Sequence, residues 1–285
     1  MLDAKKTDPV RFGYYCVALI DILGQQESLL RFKDLPHTEK EREEFIRAAK
    51  ETFGVISGIR NLVDSFYRSY TDYKGVHPLS DMSGTELKFQ GFSDTIIIYV
   101  PLATDSKHIP ITSIYAVLLA CGSTFLCSMA AGHPLRGGVE VGMGAEIYEG
   151  EIYGPALSKA YRIESKIAEY PRIVVGSELV SYLMEQKNCD GPDLRGKYIG
   201  KMSESCLGLL TSDVDGQHIV DYLGESFMKK VEHPPLQDGT VKSAYEFTTK
   251  ETRKWREQKN SQLAFRYTLL HNYFVAKLEH WKERF

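Results

Sequence analysis

The chain has 285 residues, enough for one large domain or a domain with a helical extension. Hydrophobic residues make up 43% and charged residues 26%, ordinary for a soluble globular protein, and the formal net charge is −3. No domain-wide positive field is available for duplex nucleic acid, so no nucleic-acid binding is expected.

The five cysteines (Cys16, Cys121, Cys127, Cys189, Cys206) are odd in number and form no C-x-x-C pair. They read as buried free thiols of a reducing cytosol, not as zinc ligands. The histidines show no H-E-x-x-H or other paired metal spacing, and neither G-x-S-x-G nor a Walker G-x-x-x-x-G-K-[ST] occurs. The opening "MLDAKKTDPV" lacks an apolar signal-peptide core, which points to a cytoplasmic location.

In chain order, Arg11 to Leu23 reads as a buried strand, broken by Gly24. A short helix is expected over Gln25 to Lys33. The stretch from His37 to Tyr70 has helical period. Phe45, Ala49, Phe53, Ile56, Ile59, Val63 and Phe66 fall on one face, and Thr38 with Glu41 forms a capping box. Val76 to Gly84 reads as loop. Leu87 to Gly91 and Thr95 to Val100 are strands around a tight turn, Phe92-Ser93-Asp94. Ile109 to His133 carries no Asp, Glu, Lys or Arg and is long enough to span a bilayer. Pro110, two glycines and several hydroxyl residues instead favour a buried helix over Ile111 to Ala131, and no membrane span is expected.

Leu135 to Met143 is a strand, Gly144 to Gly154 a loop or β-arm, and Pro155 to Ile167 a helix with proline near its start. A strand at Arg172 to Val175 and a helix at Ser177 to Glu185 follow. Leu207 to Val214 and Gln217 to Leu223 form a hairpin over Asp215-Gly216. Two helices close the chain, Val241 to Gln258 and Ser261 to Arg284. The second carries an apolar stripe of Leu263, Tyr267, Leu270, Phe274, Leu278 and Trp281. The order strand–helix–strand–strand–helix–strand is the split-βαβ, ferredoxin-like order of an α+β fold. A catalytic domain is expected over residues 1–235, with its core at 12–176, and a helical extension over 236–285.

That order sets the end of the first strand beside the central hairpin, so Asp21 and Asp94 converge. Two bare carboxylates repel, and Mg²⁺ or Mn²⁺ resolves the conflict while taking phosphate oxygens and water as remaining ligands. Gly24 allows a sharp turn, with backbone amides beyond it able to meet phosphate. On spacing alone, Asp21 as a helix cap and Asp94 as a turn residue fit equally well. Lys88 and Lys159 are further cations in reach of phosphate, although such lysines are usually solvated.

Four blocks in order, "ALIDILGQ", "FQGFSDTIIIYV", "LRGGVEVG" and "IYGPALSKAYRIES", resemble those of the class III nucleotidyl cyclases over Tyr14 to Val175. Within that family, "GGVEVG", "YGPALSKAYRIES" and "DVDGQHIVDYLG" look most similar to the pyrimidine cyclases of bacterial antiphage (Pycsar) systems. The resemblance implies a homodimer with shared sites and two Mn²⁺ or Mg²⁺ ions per site. It implies formation of cyclic UMP, or second cyclic CMP, from UTP or CTP, read by a separate effector. It assigns Asp21 and Asp94 as metal ligands, joined by the backbone carbonyl of Ile22. Leu23, Gly24 and Gln25 would lie under the triphosphate, and Arg162 would stabilise the transition state.

Three departures stand out. Ser158 replaces the asparagine that orients the ribose, and Ser93 replaces the glycine before the second aspartate. Gln90 and Glu151 occupy the base-reading positions, where the purine enzymes carry a different pair. Gln90 can donate and accept, which suits uracil or cytosine. The alternatives are a degenerate module that binds nucleotide without turnover, and a purine (adenylate or guanylate) cyclase.

Overall fold

The computed structural model describes residues 10–24, 35–71, 85–102, 111–188, 194–231, 236 and 239–278. The expected helix at Gln25 to Lys33, the loop at Val76 to Gly84, Cys189 and Trp281 lie outside them.

The central element is β1 (Arg11–Ile22), flanked by β3 (Thr95–Pro101) and β4 (Leu135–Tyr148), both antiparallel to it. β2 (Lys88–Phe92) pairs outside β3, giving the order β2-β3-β1-β4 of a ferredoxin-like sheet. The sheet then extends beyond the split-βαβ unit. β6 (Ile173–Val175) joins β4 in parallel, and the hairpin β7 (Leu210–Ser212) and β8 (His218–Val220) follows. β5 (Glu151–Tyr153) folds back on the far end of β4, turning the expected β-arm into a longer strand and a short return strand.

Side-chain alternation along β1 feeds two cores. Cys16, Ala18, Ile20 and Ile22 join the main core, packed by α1 (Glu39–Thr71) and α2 (Ile111–Ala130). Tyr15, Val17 and Leu19 face the other side, where they meet Ala156 and Ala160 of α3 (Pro155–Arg162). α2 is the one described helix long and apolar enough to cross a membrane, and 89% of its apolar window is buried inside the protein. It is the core helix expected from its sequence.

α1 begins at the capping box: Glu41 N–H donates to Thr38 Oγ1, and Thr38 N–H to Glu41 Oε2. Its buried stripe is Ala48, Thr52, Ile59, Val63 and Tyr67. The expected face holds over its second half, where Ile59 and Val63 are buried and Ile56 and Phe66 pack on the core, and fails over the first, where Phe45 and Phe53 are 41% and 62% exposed. The first turns of this 33-residue helix therefore leave large apolar side chains at the surface.

The periodicity missed two helices. They are α5 (Leu194–Leu207), which follows α4 (Ser177–Lys187), and the short α6 (Glu225–Lys230). α7 (Thr240–Glu257) and α8 (Ser261–Lys277) fall close to expectation. Tyr267, Leu270 and Phe274 of α8 belong to the same core as β1 and α2. Tyr273 Oη and Lys277 Nζ both donate to the Asp221 carboxylate, at 2.7 Å each, fixing α8 to the end of β8. Cys16, Cys121 and Cys206 are buried free thiols, and Cys127 is half-buried.

Candidate active site

The site lies where β1 ends. Asp21 is in register with Thr95 on one side and Arg136 on the other, and Asp94 sits in the two-residue turn just before Thr95. The expected convergence of the two aspartates is therefore met by the pairing of the strands. Ser93, where a glycine is usual, has φ of 58° and occupies the left-handed region. Gly24, at φ 86°, supplies the turn after β1, and Leu23 N–H is held by Pro134 O at 3.0 Å.

No cation neighbours these acids in the sequence; the fold supplies one. Arg136 Nη2 lies 3.2 Å from Asp21 Oδ2, and Arg136 Nε donates to Glu164 Oε1 at 2.7 Å. Glu164 reaches it from a π-helical turn, Ile163–Ile167, that closes α3. Gly138 makes the approach possible, because a Cβ there would stand 2.6 Å from Ala160 O and 2.8 Å from Glu164 N. The "RGG" of the β4 block thus provides the cation and, at its second glycine, room for the helix that carries the acid. An Arg two residues before a glycine on a strand paired to Asp21 was the signal available in the sequence.

Two carboxylates, Asp21 and Glu164, share this one guanidinium, and a third, Asp94, stands beside them without it. Asp94 is 6% exposed, and its carboxylate has no hydrogen-bonding partner among the described residues. Burial pushes the Asp21 carboxyl above its ordinary range, Arg136 opposes the shift, and the neighbouring Asp94 charge adds to it. Burial likewise raises Glu164, again against Arg136. The donors present are hard oxygens in excess negative charge, the chemistry that Mg²⁺ or Mn²⁺ takes. Ile22 buries its side chain, so only its backbone can serve the site. Among the described residues no group of three His, Cys, Asp or Glu forms a ready-made metal cage. A site of two carboxylates would draw its other ligands from substrate and water.

Other candidates separate. Ser158 and Arg162 are exposed on α3, four residues apart on one face, and Arg162 pairs with neither Glu164 nor Glu151. Among the described residues no hydrogen bond or ion pair joins Arg162 to either aspartate. Lys88 and Lys159 are engaged elsewhere, by Glu146 and Glu178 respectively. Gln25 lies outside the described residues.

Gln90 and β5 are brought together. Ile152 N–H donates to Gln90 Oε1 at 3.0 Å. Glu151 lies next to this contact, but its side chain alternates away from buried Ile152 and accepts from Tyr153 Oη at 3.2 Å. A cavity of about 510 Å³ opens beside this arm, lined by Arg60, Lys88, Phe89, Glu146, Tyr148 and Gly150 among others, not by the aspartates.

No family model matches the chain, and no curated protein does. Among solved structures it is similar to a bacterial light-regulated adenylyl cyclase, at 14% identity and TM-score 0.38 over 60% of this chain and 45% of that one. The chain thus spans under half the length of that protein. It is also similar to the monomeric guanylyl cyclase domain of the RhoGC fusion protein from the aquatic fungus Blastocladiella emersonii. There the identity is 11% and the TM-score 0.43, over 74% of this chain and 96% of that domain. These likenesses are remote, and the reading of the site rests on its own residues.

Proposed function

We propose that the protein is a nucleoside triphosphate cyclase making a 3′,5′-cyclic pyrimidine nucleotide, cyclic UMP before cyclic CMP. The observation that carries this reading is the pair Asp21 and Asp94 on adjoining strand ends, in excess over the single cation beside them. In the reaction the 3′-oxygen bonds to the α-phosphorus, the bond from that phosphorus to the bridging oxygen breaks, and pyrophosphate leaves. The hydroxyl proton passes to water or to a substrate phosphate.

Asp21 and Asp94, with the Ile22 carbonyl, would hold two divalent cations, Mn²⁺ or Mg²⁺. Bound there, such ions supply positive charge to the attacking and leaving oxygens. The chain's own part is to fix these acids at strand ends. The turn at Leu23, Gly24 and Gln25 would carry backbone amides toward the triphosphate.

Arg162 is proposed to stabilise the developing charge, with Ser158 on the ribose, in the site of a second copy. The exposure of both on a helix face that their own site does not use supports a homodimer with shared sites. Gln90 and Glu151 are the proposed base readers. A role as signal generator in bacterial antiphage defence, acting in the cytoplasm through a separate effector, is proposed from the sequence blocks.

The test is turnover of ATP, GTP, CTP and UTP with Mn²⁺, with products identified by mass spectrometry. A cyclic pyrimidine nucleotide is expected, with Asp94→Ala lowering its rate about a thousandfold or more. Mixing Asp94→Ala with Arg162→Ala should restore part of the activity if sites are shared. A purine product would sink the pyrimidine assignment. Binding without product from any nucleotide would favour a degenerate module, to which Ser93 and Ser158 already incline.

A further inference from the structure

We propose that the Lys88–Glu146 pair, with its carboxylate buried, fixes the polarity of the Gln90 amide, so that the site selects a pyrimidine with a carbonyl and not an amine at C4, uracil over cytosine. This rests on the cyclase reading above and adds the direction of the hydrogen bond.

Glu146 is 7% exposed and fully engaged. Lys88 Nζ donates to both its oxygens at 2.7 and 2.8 Å, Tyr99 Oη at 3.0 Å and Gly150 N–H at 3.1 Å. A buried ion pair costs desolvation and adds little net stability, so its fitting role is to fix an arrangement. The arrangement needs fixing. β4 and β5 shift register between Glu146 and Tyr148, β5 has only three residues, and Gly150 turns with φ of 81°. Lys88 stands on β2 two residues from Gln90, so the pair ties the β4–β5 turn to the strand that carries Gln90. A Cβ on Gly150 would lie 3.6 Å from Phe89 O, which places the turn against β2.

Held there, Ile152 N–H meets Gln90 Oε1 at 3.0 Å. A backbone N–H bonds only to the amide oxygen; flipping the amide would set donor against donor. The end of Gln90 left for a ligand is therefore its NH₂. A glutamine amide can donate or accept; the fold leaves Gln90 only donation. It matches a carbonyl, as on uracil or guanine, and opposes the exocyclic amine of cytosine or adenine. One mispaired buried donor corresponds to about a ten- to hundredfold difference.

The experiment compares affinity in Ca²⁺ and kcat/KM in Mn²⁺ for UTP, CTP, GTP and ATP, in wild type, Gln90→Glu and Lys88→Met. Wild type should favour UTP over CTP. In Gln90→Glu one carboxylate oxygen keeps the Ile152 bond and the other offers an acceptor. The UTP/CTP ratio should then move at least tenfold toward CTP. Lys88→Met should bring the ratio toward one with a smaller loss of UTP turnover, whereas a merely structural role would lower both substrates alike. Wild type favouring CTP, or an unchanged ratio in Gln90→Glu, overturns this inference and leaves the cyclase reading standing. Neither binding nor conversion of any nucleotide by wild type overturns both.

Discussion

Two arginines stand at the starts of neighbouring parallel strands, at the same end of the sheet, and they do opposite things. Arg172, just before β6, is 2% exposed and pairs with Asp213 and Asp215 while donating to Ile167 O and stacking over Tyr170. Tyr170 Oη also donates to Asp213, so the corner is closed and its acids are satisfied. Arg136, at the start of β4, has a side chain 20% exposed and serves Asp21 and Glu164, with Asp94 left over. The first corner spends its charges on joining the β7–β8 hairpin to the sheet. The second leaves the buried Asp94 carboxylate without a cation of its own. Burial alone therefore does not mark a functional acid; an incomplete set of partners does.

The sharpest way to break this comparison is to delete each cation. Arg172→Ala leaves the buried Asp213 carboxylate uncompensated, with exposed Asp215 beside it, and should cost about 3–5 kcal/mol by denaturant unfolding. Arg136→Ala opens onto a site that water already reaches and should cost about 1–2 kcal/mol. Equal losses would mean the second corner is structural too.

A pH titration sharpens it further. Burial alone would raise Glu146, but Lys88, Gly150 N–H and Tyr99 outweigh it and hold this carboxyl below its ordinary value. Its stabilisation is present above the unfolded-state value and is lost as pH falls through the lower folded value. Amide exchange at Gly150 and Ile152 should therefore stay slow at pH 5 and accelerate only below the ordinary glutamate range. Lys88→Met should release both amides at neutral pH.

The smallest effect is expected at the hairpin turn. Ser93→Gly relieves a left-handed backbone at φ 58° and should stabilise the fold by about 1 kcal/mol, read as a rise in Tm of ~2 °C. No gain would show that Ser93 is held by contacts that offset its strain.

Much was legible in the residues themselves. Alternation along β1, the charge-free run of α2, the capping box at Thr38 and Glu41, and the Asp215-Gly216 turn are local signals, set by backbone geometry within a few residues. So was the meeting of Asp21 and Asp94, because strand order alone forces those two ends together. The face buried by α1 was legible only in its second half, at Ile59 and Val63; over the first turns helical period offers several stripes and packing decides which one meets the core. α5 escaped because its pattern is weakly amphipathic, with few residues fully buried.

The partners of the site's charges left only a trace in the sequence, the Arg136-Gly137-Gly138 run. That Arg136 stands between Asp21 and Glu164 depends on antiparallel register across β1 and β4 and on the close approach of α3 over Gly138. That Gln90 turns its oxygen to Ile152 depends on a bulge pinned by Glu146. Sequence determined which groups sit at the strand ends, because period and turn chemistry are local. Tertiary structure alone decided which charges meet and which end of an amide is left free, because those contacts join residues 28 to 115 positions apart.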